Sequence, residues 1–187
     1  MSMIQGRLYT VPDFEALIAL PENEERLFEL INGEVVQKVP TELHSMIAGN
    51  MYSALRGFVK PRNLGRVLFE ARHRVPNDDH NARIPDVSFT RTERLLPIVD
   101  EGAIPLIPDL CIEVQSPNDS AKKLRDKAAY YLANGAQLVL IVYPKKRMVE
   151  AQYPDGEFDM FREDESITFG DLLPGFTMSV KEVFDEI

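Results

Sequence analysis

The sequence has a single cysteine, no long apolar run and no excess of positive charge, and each shortage excludes a class of protein. Cys111 cannot form a disulfide within the chain, and one thiol in an apolar run is typical of a small buried side chain in a reducing compartment. No apolar run approaches the roughly 20 residues that span a bilayer, and the first residues lack the pattern of a secretion signal. The sequence therefore predicts a cytoplasmic protein without a membrane segment.

The net charge of −9 is distributed unevenly along the chain. Residues 150–187 hold eleven acidic and two basic residues, so the first 149 residues are neutral overall. Within that part, basic side chains are concentrated in two runs, 56–74 and 122–147. Basic runs are common on solvated surfaces, so these two permit a partner that bears phosphate without demonstrating one.

Length and periodicity predict one mixed α/β domain over residues 1–187, because 44% hydrophobic residues suffice for a core at this size. Helical spacing predicts helices over 11–20, 41–60, about 117–135 and 172–184, while alternation predicts strands over 66–75, 82–89, 109–116 and 137–144. Two further segments predict hairpins, an N-terminal one over 26–39 that turns at Asn32-Gly33 and a C-terminal one over 147–163. The expected fold is a central mixed β-sheet flanked by helices.

Two hydrophobic strands each have an acid on their less apolar face. Glu113 in "LCIEVQSP" and Asp86 in "RIPDVSF" both alternate with apolar neighbours. If the strands are adjacent, two carboxylates about 4 Å apart repel each other by roughly 4 kcal/mol at an effective dielectric near 20, so a cation must compensate them. A divalent metal such as Mg²⁺ or Mn²⁺ suits hard carboxylate oxygens. For either acid alone, a helix cap or an arginine partner such as Arg83 is the alternative.

These motifs together resemble the Uma-type family of restriction endonucleases in the PD-(D/E)XK nuclease superfamily. The matching segments run almost from end to end: "FELINGEVV", "ELHSMIAGNMYSAL", "IPDVSF", "LCIEVQSP", "KAAYYLANG" and "LLPGF". Each segment is weakly specific alone, and the resemblance depends on their order and spacing. It implies a restriction-endonuclease-like core.

The resemblance also implies a metal site. Asp86 and Glu113 match the two metal-binding acids of the family, which are catalytic, and Glu29 matches an acid that helps to bind the metal. The main-chain carbonyl of Gln115 is a further ligand by this resemblance. The implied cofactor is Mg²⁺, with Mn²⁺ as a substitute.

The superfamily has a lysine two residues after the second acid, and this chain has Gln115 there. An amide cannot supply positive charge, so the expected catalytic cation has to come from elsewhere. The family places a lysine on the following helix, four residues before a tyrosine, and Lys127 and Tyr131 match that pattern. A surface lysine on an amphipathic helix is the alternative for Lys127. The residues expected to contact the substrate are His44, Lys122, Lys123, Arg125 and Tyr131.

Three functions compete on the sequence. The first is a metal-dependent endonuclease that hydrolyses phosphodiester bonds in double-stranded DNA, with a homodimer expected because cutting both strands requires two active sites. The second is a catalytically weak or inactive member that binds nucleic acid or regulates, which Gln115 and the acidic total charge support. The third is a structural protein in which Asp86 and Glu113 are only salt-bridged.

Overall fold

The computed structural model describes residues 8–187, and contacts within the chain group them into two units. The first unit comprises residues 8–39, 71–84 and 97–107, and the second comprises 40–70, 85–96 and 108–187. The expectation of one domain over residues 1–187 stays a prediction. Within residues 8–187, no helix combines the length and the apolar character needed to cross a bilayer.

The first unit contains α1 (Val11–Ile18) and the antiparallel strands β1 (Leu27–Ile31) and β2 (Glu34–Lys38). Thr10 starts α1 with a capping box, in which its hydroxyl accepts from the amide of Asp13 and the Asp13 carboxylate accepts from the amide of Thr10. The predicted hairpin turn is confirmed, since Asn32 and Gly33 have φ values of 51° and 81°. The apolar side chains of this unit form their own core, which consists of Val11, Phe14, Phe28, Leu30, Ala82 and Ala103.

The second unit is built on a six-stranded mixed sheet. Before the sheet comes the long helix α2 (Glu42–Val59). The strands follow in spatial order as β3 (Gly65–Phe69), β4 (Val87–Arg91), β5 (Leu110–Val114), β6 (Leu138–Tyr143), β7 (Met148–Gln152) and β8 (Phe158–Phe161). All neighbours are antiparallel except β5 and β6, whose parallel pairing requires the crossover helix α3 (Ala121–Ala133). The α/β class and both predicted hairpins are confirmed, and the C-terminal hairpin is part of this sheet.

Three element boundaries differ from the sequence-based expectation, each for a local reason. The strand predicted over 66–75 ends at Phe69, because Glu70 has a φ of 48° that a strand does not accept. The strand predicted over 82–89 begins at Val87, since Pro85 has no N–H for the ladder. Part of the closing helix is instead strand β10 (Thr177–Ser179), which pairs with β9 (Ser166–Thr168) before α4 (Val180–Val183) begins.

The two faces of the central sheet have different coverings. One face packs on α2 and forms the main core, which includes Ile47, Met51, Leu55, Val87, Phe89, Leu110, Ile112, Leu140 and Val142. By alternation, Glu113 and Cys111 lie on the opposite face, which α3 covers. Cys111 is fully buried there, and burial raises the pKa of its thiol well above the ordinary value, with the nearby Glu113 carboxylate adding to the shift. It is an inert core side chain, as the sequence predicts.

His73 makes the stability of the chain depend on pH. It is buried in the first unit, where its Nδ1 donates to the carbonyl of Leu106 at 2.9 Å, and burial lowers its pKa from 6.5 to about 4. Between these values the unfolded chain binds more protons than the folded one, so the free energy of unfolding decreases as the pH drops through this window. The expected loss from this group is about 3 kcal/mol.

The variant His73→Gln tests this dependence, because glutamine does not titrate. Urea denaturation at about pH 7.5 and about pH 4.5 should show a larger loss of stability for the native chain than for the variant. All other titrating groups are common to both proteins, so the difference between the two losses measures His73. Equal losses in the two proteins would contradict the assignment.

Candidate active site

Asp86 and Glu113 lie at the same end of two neighbouring strands, β4 and β5. The antiparallel register pairs Val87 with Ile112, and the amide of Asp86 donates to the carbonyl of Ile112 at 2.9 Å. Asp86 and Glu113 are the next residues beyond this pair on the two strands, so both lie at the same end of the β4–β5 ladder. Both side chains are almost fully buried, at 1% and 3% exposure. This end of the strand pair thus holds two buried carboxylates.

Helix α3 provides two partners to Glu113. The ammonium of Lys127 donates to Oε2 at 2.7 Å, and the hydroxyl of Tyr131 donates to Oε1 at 2.8 Å. Both reach the same carboxylate because residues four apart lie on one side of a helix. Lys127 is only 6% exposed, so the alternative of a solvated surface lysine is wrong. The lysine of helix α3, Lys127, therefore lies directly beside Glu113.

The local sequence determines which side of α3 faces Glu113. Ser120 ends the preceding loop as the N-cap, and its hydroxyl accepts from the amide of Lys123 at 3.2 Å. From this start, the helical period buries a stripe that consists of Leu124, Lys127, Ala128 and Tyr131. The apolar members, Leu124 and Ala128, pack the helix against the sheet. The polar members, Lys127 and Tyr131, are therefore directed to the buried Glu113.

Asp86 is held by the first turn of α2 and by the next strand. The Nε2 of His44 lies 3.1 Å from Oδ2 of Asp86, and the amide of Val114 donates to the same oxygen at 2.6 Å. Because an ionised carboxylate only accepts, Nε2 is the donor of this contact. His44 is 5% exposed, and its Nδ1 has no hydrogen-bond partner within the described residues 8–187. The expected substrate contact of His44 stays a prediction, and the structure places the ring on the acid.

A third buried acid in the same part of the sheet gives a contrast. Asp109, immediately before β5, is completely buried and accepts from the side chains of Arg91 and Arg94, with the Arg94 contact at 2.7 Å. Two guanidinium groups are the compensation expected for a structural carboxylate. Glu113 accepts instead from a lysine ammonium and from a tyrosine hydroxyl.

The donor set formed by Asp86 and Glu113 fits a hard divalent cation. Mg²⁺ in nucleotide-handling sites is held by one or two carboxylates, with water and substrate phosphate completing its octahedron. The two oxygens of a carboxylate have about four lone pairs between them, so hydrogen bonds to some of these leave others for coordination. Within residues 8–187, no three His, Cys, Asp or Glu side chains are grouped closely enough to hold a metal by themselves. The two acids therefore suit a metal ion that takes its remaining ligands from water and from a substrate phosphate.

Two further predicted ligands occupy defined positions. Glu29 lies on β1 in the first unit, is 3% exposed, and accepts from the amide of Ile84 at 2.8 Å. Gln115 follows β5 directly, and its amide nitrogen Nε2 donates to the carbonyl of Asp119 at 2.9 Å. The role of each as a metal ligand stays a prediction.

A cavity of about 260 Å³ lies beside these groups in the second unit. His44 and Gln115 both contribute to its wall, which is completed by Thr41, Leu43, Ser116, Pro117, Asp119, Pro144 and Lys145. Since His44 also contacts Asp86, the cavity adjoins the pair of acids.

The three cations predicted to contact substrate from α3 all have acidic partners. Lys122 pairs with Asp126 at 2.6 Å and Lys123 with Asp119 at 3.1 Å. Arg125 makes a two-pronged contact with Glu150, at 2.9 Å from Nε and 2.8 Å from a terminal nitrogen. The lysine pairs are partly or fully exposed, and such pairs contribute only about 0–1 kcal/mol, so a phosphate can replace the acid.

Glu150 on β7 is the residue that sequence reasoning missed. It is 1% exposed and also accepts from the hydroxyl of Tyr143 at 2.9 Å and from the amide of Gln152 at 2.6 Å. Burial acts to raise its pKa, but the hydrogen bonds from Arg125, Gln152 and Tyr143 outweigh burial and lower it. Burial, followed by the contact with Glu150, raises the pKa of Tyr143 to about 12. The alternation with Val149 and Ala151 is the same signal that singled out Asp86 and Glu113.

Comparisons with known proteins find a family that matches the chain and a solved structure of similar fold. The model of the Uma2 family, described as "Putative restriction endonuclease", matches residues 11–181. A crystal structure from Anabaena variabilis ATCC 29413, titled as "a putative nuclease belonging to DUF820", is 27% identical over 94% of this chain and 97% of that chain, with a TM-score of 0.78. No curated protein matches the sequence. The likeness extends from the first helix to the last.

Proposed function

We propose, since the chain belongs to the Uma2 restriction-endonuclease family, that it is a metal-dependent endonuclease that cleaves phosphodiester bonds in double-stranded DNA. The family and the fold neighbour support the coarser statement of a nuclease-like protein that acts on nucleic acid. The observation that carries the finer proposal is the buried contact of 2.7 Å between Lys127 and Glu113. It supplies the cation that Gln115 lacks, which favours an active enzyme over an inactive relative.

In this proposal Asp86 and Glu113 hold Mg²⁺, with Glu29 and the carbonyl of Gln115 as further candidate ligands. A metal ion held by these residues would supply polarisation of the scissile phosphate and a water molecule of lowered pKa. His44 and the amide of Val114 orient Asp86, while Tyr131 orients Glu113.

Lys127 has the direct chemical role among the residues of this chain. Its ammonium lies at the acid pair, where it orients the attacking water or stabilises the negative charge that develops on the phosphoryl oxygens. Water is largely excluded at this depth, so a fixed positive charge acts more strongly than it would at the surface. Gln115 can contribute only hydrogen bonds.

The substrate contacts are proposed for exposed groups around the site. Lys122 and Lys123 exchange weak ion pairs for phosphate contacts, and the cavity beside His44 receives part of the bound strand. A homodimer is proposed because symmetric cutting of a duplex requires two active sites.

The test is cleavage of a supercoiled plasmid, of single-stranded DNA and of RNA with Mg²⁺, with Mn²⁺ or with a chelator. We expect duplex cleavage with either metal, none with the chelator, and a loss of about 10²–10³-fold in Glu113→Gln. Cleavage that resists the chelator would contradict the metal dependence. Binding of nucleic acid without cleavage under any of these metals would favour the inactive module, and a preference for RNA would revise the substrate.

A further inference from the structure

We propose that the Arg125–Glu150 ion pair is a positioning element that fixes Lys127 over Glu113. The inference rests on the proposed function, because Lys127 is the cation of the reaction. Arg125 was expected from the sequence to contact substrate, and the structure gives its guanidinium a different partner. The pair is therefore assigned to the internal geometry of the site.

Glu150 and Glu113 belong to one row of residues across the sheet. The β5–β6 register pairs Glu113 with Ile141, and the β6–β7 register pairs Ile141 with Glu150. Residues paired across neighbouring strands lie on the same face, so the row directs both carboxylates to the side that α3 covers. Ile141 is fully buried and lies between them on β6, so Glu113 and Glu150 are on the two strands that flank β6.

Helix α3 places one cation on each end of this row. Arg125 and Lys127 are two residues apart, which corresponds to about 200° of rotation, so their side chains leave opposite flanks of the helix. The helix packs mainly on β6, the middle strand of the row. Arg125 reaches Glu150 on β7, and Lys127 reaches Glu113 on β5. Two contacts on opposite flanks fix the rotation of a helix about its axis, which one contact does not.

The Arg125–Glu150 contact has the features of a fixed structural link. Its geometry is bidentate, and the acid is 1% exposed and further held by Tyr143 and Gln152. A buried carboxylate retains such a partner, because losing it leaves an uncompensated charge. An arginine that served to bind phosphate would be expected to hold an exchangeable acid, as Lys122 holds the exposed Asp126.

The experiment compares Arg125→Lys and Glu150→Gln with the native enzyme on a duplex substrate. Lysine keeps the charge but cannot form the two-pronged contact. We expect both variants to lower kcat about 10–100-fold with little change in the Kd for DNA, because a displacement of about 1 Å is enough for such a loss. Glu163→Gln is the control, since it removes a solvent-exposed ion pair with Arg147 at 2.8 Å, and its kcat should stay unchanged.

A direct role of Arg125 in binding DNA predicts the opposite pattern. Arg125→Lys would then retain kcat, Arg125→Ala would weaken binding and reduce the salt dependence of affinity by about one phosphate contact, and Glu150→Gln would tighten binding by releasing the guanidinium. That pattern overturns the inference.

A structural readout separates this inference from the proposed function. Hydrogen exchange of the α3 amides is measured in Arg125→Ala, in Arg125→Lys and in Glu163→Gln without any substrate. Faster exchange across α3 in the two Arg125 variants, with no change in Glu163→Gln, supports the positioning role even if no cleavage is found. Native exchange across α3 in the Arg125 variants overturns it, whatever the enzyme cleaves.

Discussion

Lys127→Met removes metal-dependent cleavage, with an expected loss of about 10²–10³-fold in kcat even when the variant is folded. The reason is that Lys127 is the positive charge observed at Glu113, 2.7 Å from its carboxylate, and the amide of Gln115 cannot replace it. Methionine keeps most of the side-chain volume, so packing under α3 changes little. The measurement is single-turnover cleavage of a duplex at saturating enzyme.

The same substitution also destabilises the fold, and a second variant separates the two effects. Without the ammonium, Glu113 remains buried with an uncompensated charge, which costs about 3 kcal/mol or more. The double variant Lys127→Met with Glu113→Gln should recover stability in urea denaturation but not activity. If Lys127→Met is folded and cleaves within about threefold of the native rate, the cation of the reaction is another group.

The sequence predicted the pair of acids because alternation is a local property of a strand. Asp86 and Glu113 each stand out against apolar residues directly before and after them, and a hydrophobic strand has few reasons to hold an acid. Lys127 and Tyr131 were predicted from their resemblance to a family pattern, and helical spacing explains why both reach one carboxylate. Periodicity along the sequence also predicted the α/β class, both hairpins and the long helix.

The partners of the buried charged groups were harder to predict from the sequence, because they depend on contacts between residues that are distant in sequence. His44 lies 42 residues before Asp86, and Arg125 lies 25 before Glu150. Which cation meets which acid depends on how the helices are rotated over the sheet, and no local pattern specifies that rotation. Asp109 shows the same limit, since one of the arginines that compensate it ends strand β4 and the other follows that strand. Strand β10 was missed because its three residues merge with the helix start at Ser179.

We expect Asp86→Asn to abolish the stabilisation that the proposed Mg²⁺ or Mn²⁺ ion would give to the folded chain. A metal that binds only the folded state at about 100 times its Kd adds about 2.7 kcal/mol to the free energy of unfolding. Asparagine keeps an oxygen that accepts from Val114 and His44, so the metal-free fold should be retained, but it removes the ligand charge. Calorimetry with Mn²⁺ and with a chelator measures the increment in each protein.

Asp109→Asn is the matched control for this experiment, because Asp109 is an equally buried acid at the start of the neighbouring strand. Its partners are Arg91 and Arg94, so its loss should lower the stability of the metal-free chain and leave the metal-dependent increment unchanged. The metal would not be held by the two acids if the metal-dependent gain in free energy of unfolding persists in Asp86→Asn. The same conclusion would follow if the native chain shows no such gain. Asp86 and Glu113 would then have the structural role that Asp109 has. The chain would resemble a nuclease in its fold but not in a metal site.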